Sequence, residues 1–192
     1  HPRRHYHAKT GSVRAVHDRT HRVLKSGELD IVYASHFGEL SAEGLECEFI
    51  KRRRLLLSVC SSHPAVSRAS INSTDKYPKI ALSEFKSDKF AISSKILKSE
   101  SNFKKIFENA GFTPQIFCDT SYLYVANAMV AAGLCVSFSF ARYIFETQKD
   151  YITLFDVADE PLLDVSFSVV YKKPSKLAKE FIKMIKAGKS DA

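Results

Sequence analysis

No stretch of this 192-residue chain approaches the roughly 18 consecutive apolar residues that a membrane helix needs. Nor is there an apolar segment behind His1-Pro2-Arg3-Arg4-His5 to make a signal peptide. The expectation is therefore a soluble, cytoplasmic protein with no membrane partner. The four cysteines, Cys47, Cys60, Cys118 and Cys135, stand far apart with no CxxC and no Cys/His ligand spacing, which argues against a zinc site or any other metal. Buried reduced thiols are the simpler reading, with a redox-sensing pair as the alternative. There is no GxSxG, HExxH, GxGxxG or P-loop, and no carboxylate is paired in sequence with a nucleophile and base, so the chain does not read as an enzyme or as the holder of a cofactor.

What the chain does have is apolar content and a surplus of positive charge. At 45% hydrophobic residues it can build one large or two small cores. The formal charge is +8. The densest basic run, Lys51-Arg52-Arg53-Arg54, lies between the apolar stretches Cys47 to Ile50 and Leu55 to Val59 with no aromatic interleaving, so it reads as a solvated turn rather than a nucleic-acid contact. An attraction for small anions fits the charge better.

The most informative passage is Val23 to Tyr33. Val13, Val16, Thr20, Val23 and Leu24 recur at helical spacing behind Ser12 as N-cap, Gly27 supplies the left-handed stop, and Leu29 to Ala34 follows as a strand covered on both faces. A helix that feeds a strand this tightly predicts a parallel sheet. Arg3 to Thr10 is a weak strand candidate, and Leu45 to Ile50 and Leu55 to Cys60 are further strands. A Ser-, Pro- and Asn-rich passage then runs to Pro78.

A second block repeats the pattern twice. Strand Phe90 to Ile92 leads to a helix capped by Ser101, carrying Phe103, Ile106, Phe107 and Ala110 and stopped at Gly111. Strand Gln115 to Cys118 leads to a helix capped by Thr120 or Ser121, stopped at Gly133 and followed by strand Leu134 to Phe138. The tail holds a long strand, Leu162 to Tyr171, and a last helix with Leu177, Phe181 and Ile185 at four-residue spacing. The chain thus reads as α/β, with two Rossmann-like lobes joined by two crossover strands. Residues 1–60 begin lobe I, 61–161 form lobe II, and 162–192 return to lobe I.

Five passages in order carry a resemblance: Thr10-Gly11-Ser12, Leu24 to Ile31, Ser62-His63-Pro64-Ala65, Phe107 to Pro114, and Val130 to Val136. Together they resemble the effector-binding domain of LysR-type transcriptional regulators over nearly the whole chain. The resemblance implies a fold like the type 2 periplasmic binding proteins, with a small-molecule effector in the cleft between lobes. It also implies a homodimer or tetramer that reaches DNA only through an N-terminal winged helix-turn-helix, which these residues do not contain. His1-Pro2 matches the Tyr-Pro before the family's second strand, so its first strand and helix have no counterpart. A longer polypeptide or another chain is expected to supply that cover. Ser137-Phe138-Ser139-Phe140-Ala141 departs from the family's usual proline after the strand.

In open α/β sheets ligands sit at the carboxyl ends of strands, where helix starts favour anions. The candidate ligand residues are accordingly Thr10, Gly11, Ser12, Ser93, Ser94, Thr120 and Ser121, with Ser35 a weaker one and neighbouring His36 read as a surface loop residue. Their hydroxyls suit a polar or carboxylate-like ligand. Simple helix capping is the competing explanation for each. A stand-alone periplasmic-type solute-binding protein and a small enzyme on the same fold are the rival functions.

Overall fold

A computed structural model of the protein describes residues 18–40, 43–92, 102–158 and 160–187. They divide into two compact units, one made of the described residues up to Arg53 together with those from Asp164 onward, the other running from Arg54 to Leu163.

In the first unit, helix α1 (Asp18–Ser26) ends as its sequence requires. Gly27 has φ of 80°, a left-handed conformation that costs a residue with a Cβ roughly 1–2 kcal/mol. Its N–H bonds back to Leu24 O at 3.3 Å. Three strands follow: β1 (Val32–Phe37), β2 (Glu46–Arg54) and, after the second unit, β9 (Asp164–Tyr171). Their order is β1-β9-β2, and β1 pairs antiparallel with β9 from Val32↔Val170 to Phe37↔Val165. Among the described residues β1 thus pairs with the returning strand alone, and antiparallel to it. The candidate strand at residues 3–10 and the N-cap Ser12 lie outside the described residues.

Burial on both faces is as expected. Leu24 of α1 and Val170 pack with Leu29, Val32 and Ala34 on one face. On the other, Ile31, Ile50 and Val169 receive Ala178 and Ile182 of the last helix, α4 (Lys176–Ala187), which Ser175 Oγ caps by accepting the Ala178 N–H at 3.2 Å. The face of α4 that packs is therefore Ala178, Ile182 and Ile185. Leu177 and Phe181, placed on that face by their spacing, are exposed. They lie one residue out of phase with the buried set, about 100° around the helix.

The second unit holds a four-stranded sheet ordered β4-β8-β3-β7 and a two-stranded sheet β5-β6. The strands are β3 (Leu56–Cys60), β4 (Lys79–Ile80), β5 (Lys89–Ala91), β6 (Gln115–Cys118), β7 (Ser137–Ser139) and β8 (Ile152–Val157). Both helix-glycine-strand repeats are present, as α2 (Asn102–Asn109) with Gly111 at φ 77° and α3 (Leu123–Ala131) with Gly133 at φ 71°, while Ser101, the expected cap of the first, lies outside the described residues. Here the parallel pairing holds: β5 and β6 are parallel, and Phe90 bridges in parallel to Val136 just before β7.

A run of phenylalanines forms the core between these strands and α2. Phe90 lies 5.1 Å edge-on to Phe107 and 6.5 Å from Phe138, and Phe103 is 5.3 Å from Phe138. All four are buried.

The basic run is not a turn. Lys51 to Arg54 end strand β2, and Arg54 turns its guanidinium inward, where Nε donates to Asp156 at 2.8 Å, Nη1 to Glu160 O at 2.7 Å and Nη2 to Val157 O at 3.1 Å. These acceptors lie more than 100 residues away in sequence, so no local pattern announces them.

Candidate functional site

Strands β5 and β6 and the residues entering β7 run parallel, so their carboxyl ends share one edge of the second unit: Ile92 after β5, Asp119 to Ser121 after β6, and Phe140 after β7. This is the edge at which open α/β sheets bind ligands. Of the residues singled out for binding, Thr120 and Ser121 stand on it. Ser93 and Ser94 lie outside the described residues, as do Thr10, Gly11 and Ser12.

Neither Thr120 nor Ser121 is the N-cap of α3. That position belongs to Tyr122, which has extended backbone and makes no side-chain cap bond. Thr120 Oγ1 accepts the Tyr122 N–H at 3.1 Å, a turn that stiffens the loop one step before the helix. Thr120 is half-buried and Ser121 exposed.

Ser35 and His36 belong to the other unit and lie inside β1, not in a loop after it. Ser35 pairs with Phe167. His36 is buried, contrary to its reading as a surface residue. Its Nδ1 sits 3.0 Å from Gly38 O, which can only accept, so Nδ1 carries the proton and Nε2 accepts from Ser168 Oγ at 2.9 Å. Desolvation by burial holds the imidazole pKa below its ordinary 6.5, although bonds to the Gly38 and Phe37 backbone push the other way. The sign follows: below pH 6.5 the unfolded chain takes up the proton more readily than the folded one, so this contribution to stability is full above pH 6.5 and is lost as pH falls through the folded value. Urea unfolding of the protein between pH 7.5 and 5, set beside His36→Gln, is expected to show a decline in the parent that is shallower in the variant. Equal slopes would remove His36 as its source.

One residue that sequence reasoning passed over organises the second unit's edge. Asn127, fully buried in an otherwise apolar helix, donates Nδ2 to Ser139 Oγ and to Tyr143 O, both at 3.0 Å, and its Oδ1 lies 3.4 Å from Ser58 Oγ. It thereby ties α3 to β3, to β7 and to the segment that follows β7. Ser137 Oγ completes the network by donating to Ala91 O at 2.7 Å. The signal was an amide on the buried side of Leu123–Ala131.

The segment fixed by Asn127 carries rings. Tyr143 meets Phe140 at 5.9 Å and stands edge-on to Tyr124 at 6.2 Å, and Tyr124 stacks on Phe145 at 5.9 Å with an interplanar angle of 12°. Arg142 holds its guanidinium carbon 5.8 Å from the Tyr143 ring centroid.

The other candidate chemistry is structural. His63 accepts the Ala65 N–H on Nδ1 and lies 3.0 Å from Asp88 through Nε2, which fixes the 3-10 turn Pro64–Arg68. Among the described residues no three His, Cys, Asp or Glu side chains gather as metal ligands. All four cysteines are free thiols. Cys118 on β6 and Cys135 before β7 stand on opposite sides of β5 and pack into one apolar cluster, both as free thiols. Burial pushes the Cys135 thiol up to about 11, so it is protonated and unreactive at neutral pH. No described helix is long and apolar enough to cross a membrane.

No protein-family model and no curated protein matches the chain. Solved structures do. HinK, a LysR family transcriptional regulator from Pseudomonas aeruginosa, matches at TM-score 0.65 and 18% identity over 89% of this chain and 56% of its own. The regulatory domain of CcmR from Synechocystis PCC6803, solved with 2-PG, matches at 0.67 and 13% over 91% of this chain and 80% of its own. The effector-binding domain of BenM, solved with benzoate, matches at 0.62 and 20% over 90% of this chain and 76% of its own. The chain spans little more than half the length of HinK. The resemblance read from five short passages is thus matched in three dimensions: the chain has the fold of the effector-binding domains of LysR family transcriptional regulators.

Proposed function

We propose that this chain is the sensory part of a bacterial transcriptional regulator, binding a small polar or anionic molecule so as to bias DNA binding by a winged helix-turn-helix elsewhere in the assembled protein. The observation that carries this is the shared fold with regulatory domains whose structures hold benzoate and 2-PG. The carboxyl edge of β5, β6 and β7, with Thr120 and Ser121 on it, is the place on the second unit where the fold rule puts a ligand. A net charge of +8 favours approach of an anion. Signalling then needs only that the molecule bind two arrangements of the regulator unequally, and a homodimer or tetramer is the assembly proposed to couple them.

The test is a thermal-shift screen of small carboxylates and phosphates, repeated on Thr120→Ala and Ser121→Ala. A ligand present at about 100 times its dissociation constant adds about 2.7 kcal/mol of stability. Loss of one hydroxyl contact, together with the turn Thr120 holds, is expected to weaken binding about five- to tenfold. A midpoint increase that survives both substitutions undiminished would place the site elsewhere.

A further inference from the structure

The rings at this edge say more about the ligand than its charge. Tyr124 and Phe145 are 52% and 53% exposed, although both belong to a continuous ring contact running Phe140, Tyr143, Tyr124, Phe145. Large apolar groups left open to water in a cluster mark a binding surface more often than single exposed ones do. Three features make this cluster more than an uncovered face. It begins where β7 ends and where α3 starts, on the same edge as Thr120. It is preorganised, because buried Asn127 holds the Tyr143 carbonyl. And it carries a cation, since Arg142 stands beside the Tyr143 ring.

From this we infer that the ledge takes a flat aromatic ring bearing an acid group, so that the molecule sensed is an aryl carboxylate rather than an aliphatic one. The inference rests on the effector-binding reading and narrows it. A planar ring stacks on or edges against Tyr124 and Phe145 through matched quadrupoles, which a puckered saturated ring of similar size does not reproduce. The carboxylate is placed toward Arg142, whose fork of donors suits it. The stacking increment predicts roughly a 3- to 10-fold preference for the aromatic acid.

Benzoate and cyclohexanecarboxylate have the same charge and nearly the same size, and calorimetric titration of the protein with each isolates planarity. Benzoate is expected to bind several-fold tighter. Tyr124→Leu and Phe145→Leu, which keep apolar bulk, are expected to erase the preference, and Tyr124→Phe to keep it, all three melting close to the parent. Equal affinity for the two acids, or a preference that survives both leucine variants, overturns the aromatic assignment and leaves the effector-binding reading to its own Thr120 test. Failure of both acids to bind at millimolar concentration overturns the aromatic assignment too. Loss of stability in Tyr124→Leu with no aromatic preference in the parent would mean that the rings only fasten the segment after β7.

Discussion

Phe90→Ala is expected to destabilise the unit from Arg54 to Leu163 by about 3–5 kcal/mol, read as a lower urea midpoint at unchanged slope. Phe90 is fully buried and lies against Phe107, Phe112 and Phe138 at 5.1, 6.1 and 6.5 Å. Truncating it opens a void among three rings supplied by α2, by the turn after it and by β7. Those rings are held by different elements, so they cannot close on the space together, and the cavity term adds to the lost transfer energy. The loss is large against the 5–15 kcal/mol that holds a typical domain. Phe90→Leu, which keeps most of the volume, is expected to recover more than half of it. A loss below about 1 kcal/mol for the alanine variant would mean that this cluster is not a packed core.

Arg54→Ala is expected to cost about 2–4 kcal/mol, with most of that loss persisting in Arg54→Lys. Among the described residues, the Asp156 carboxylate and the carbonyls of Val157 and Glu160 converge on this one side chain. Hydrogen bonds from a charged donor contribute about 1.5–3 kcal/mol each in buried settings, but Arg54 and Asp156 keep 27% and 26% of their side-chain surface, so screening reduces the sum. A lysine retains the charge but not the planar fork, so its single nitrogen cannot reach all of these acceptors in the directions that the guanidinium nitrogens do. The position gives the substitution more than local weight. Arg54 is the first residue of the second unit and Leu163 its last, and Leu55 N–H donates to Leu163 O at 3.0 Å, so the chain enters and leaves this unit through one fastened point. A double-mutant cycle with Asp156→Asn checks the pairing: a coupling energy near zero would assign the loss to the carbonyls alone.

How much of this was legible beforehand follows from which forces are local. Gly27, Gly111 and Gly133 stop their helices where the sequence places them, because a left-handed residue is a steric matter settled within one turn. The apolar run Leu29 to Tyr33 correctly announced a strand covered on both faces, but its bounds were set by pairing with β9, which carries β1 on to Phe37 and so takes in Ser35 and His36. His36 is buried because Ser168, 132 residues away, meets its ring. Arg54 looked like part of a solvated turn because its acceptors lie beyond residue 150. In α4 the pattern Leu177, Phe181, Ile185 was a valid helical stripe, yet Ala178 and Ile182 offered an equally valid one, and the sheet beneath chose between them.

The candidate site was legible only as an address. The rule that ligands gather at strand carboxyl ends pointed to Thr120 and Ser121 from their place after Cys118, and they are on that edge. Their supposed role as helix caps was wrong, because the helix begins two residues later with Tyr122 as N-cap. Asn127 and the rings around Tyr124 went unread. An amide in an apolar helix shows its purpose only when Ser58, Ser139 and Tyr143 are brought to it by the fold.

The central claim is that the edge where β5, β6 and β7 end is a small-molecule site. Amide chemical-shift mapping tests it most directly, by titrating the tightest-binding acid from the screen into the isotopically labelled protein. The account predicts saturable shifts concentrated at residues 119–124 and 140–145, scaling with the affinity found by calorimetry and weakened in Thr120→Ala. Saturable shifts confined to the first unit, around β1 or α4, with residues 119–124 and 140–145 unmoved, would contradict it.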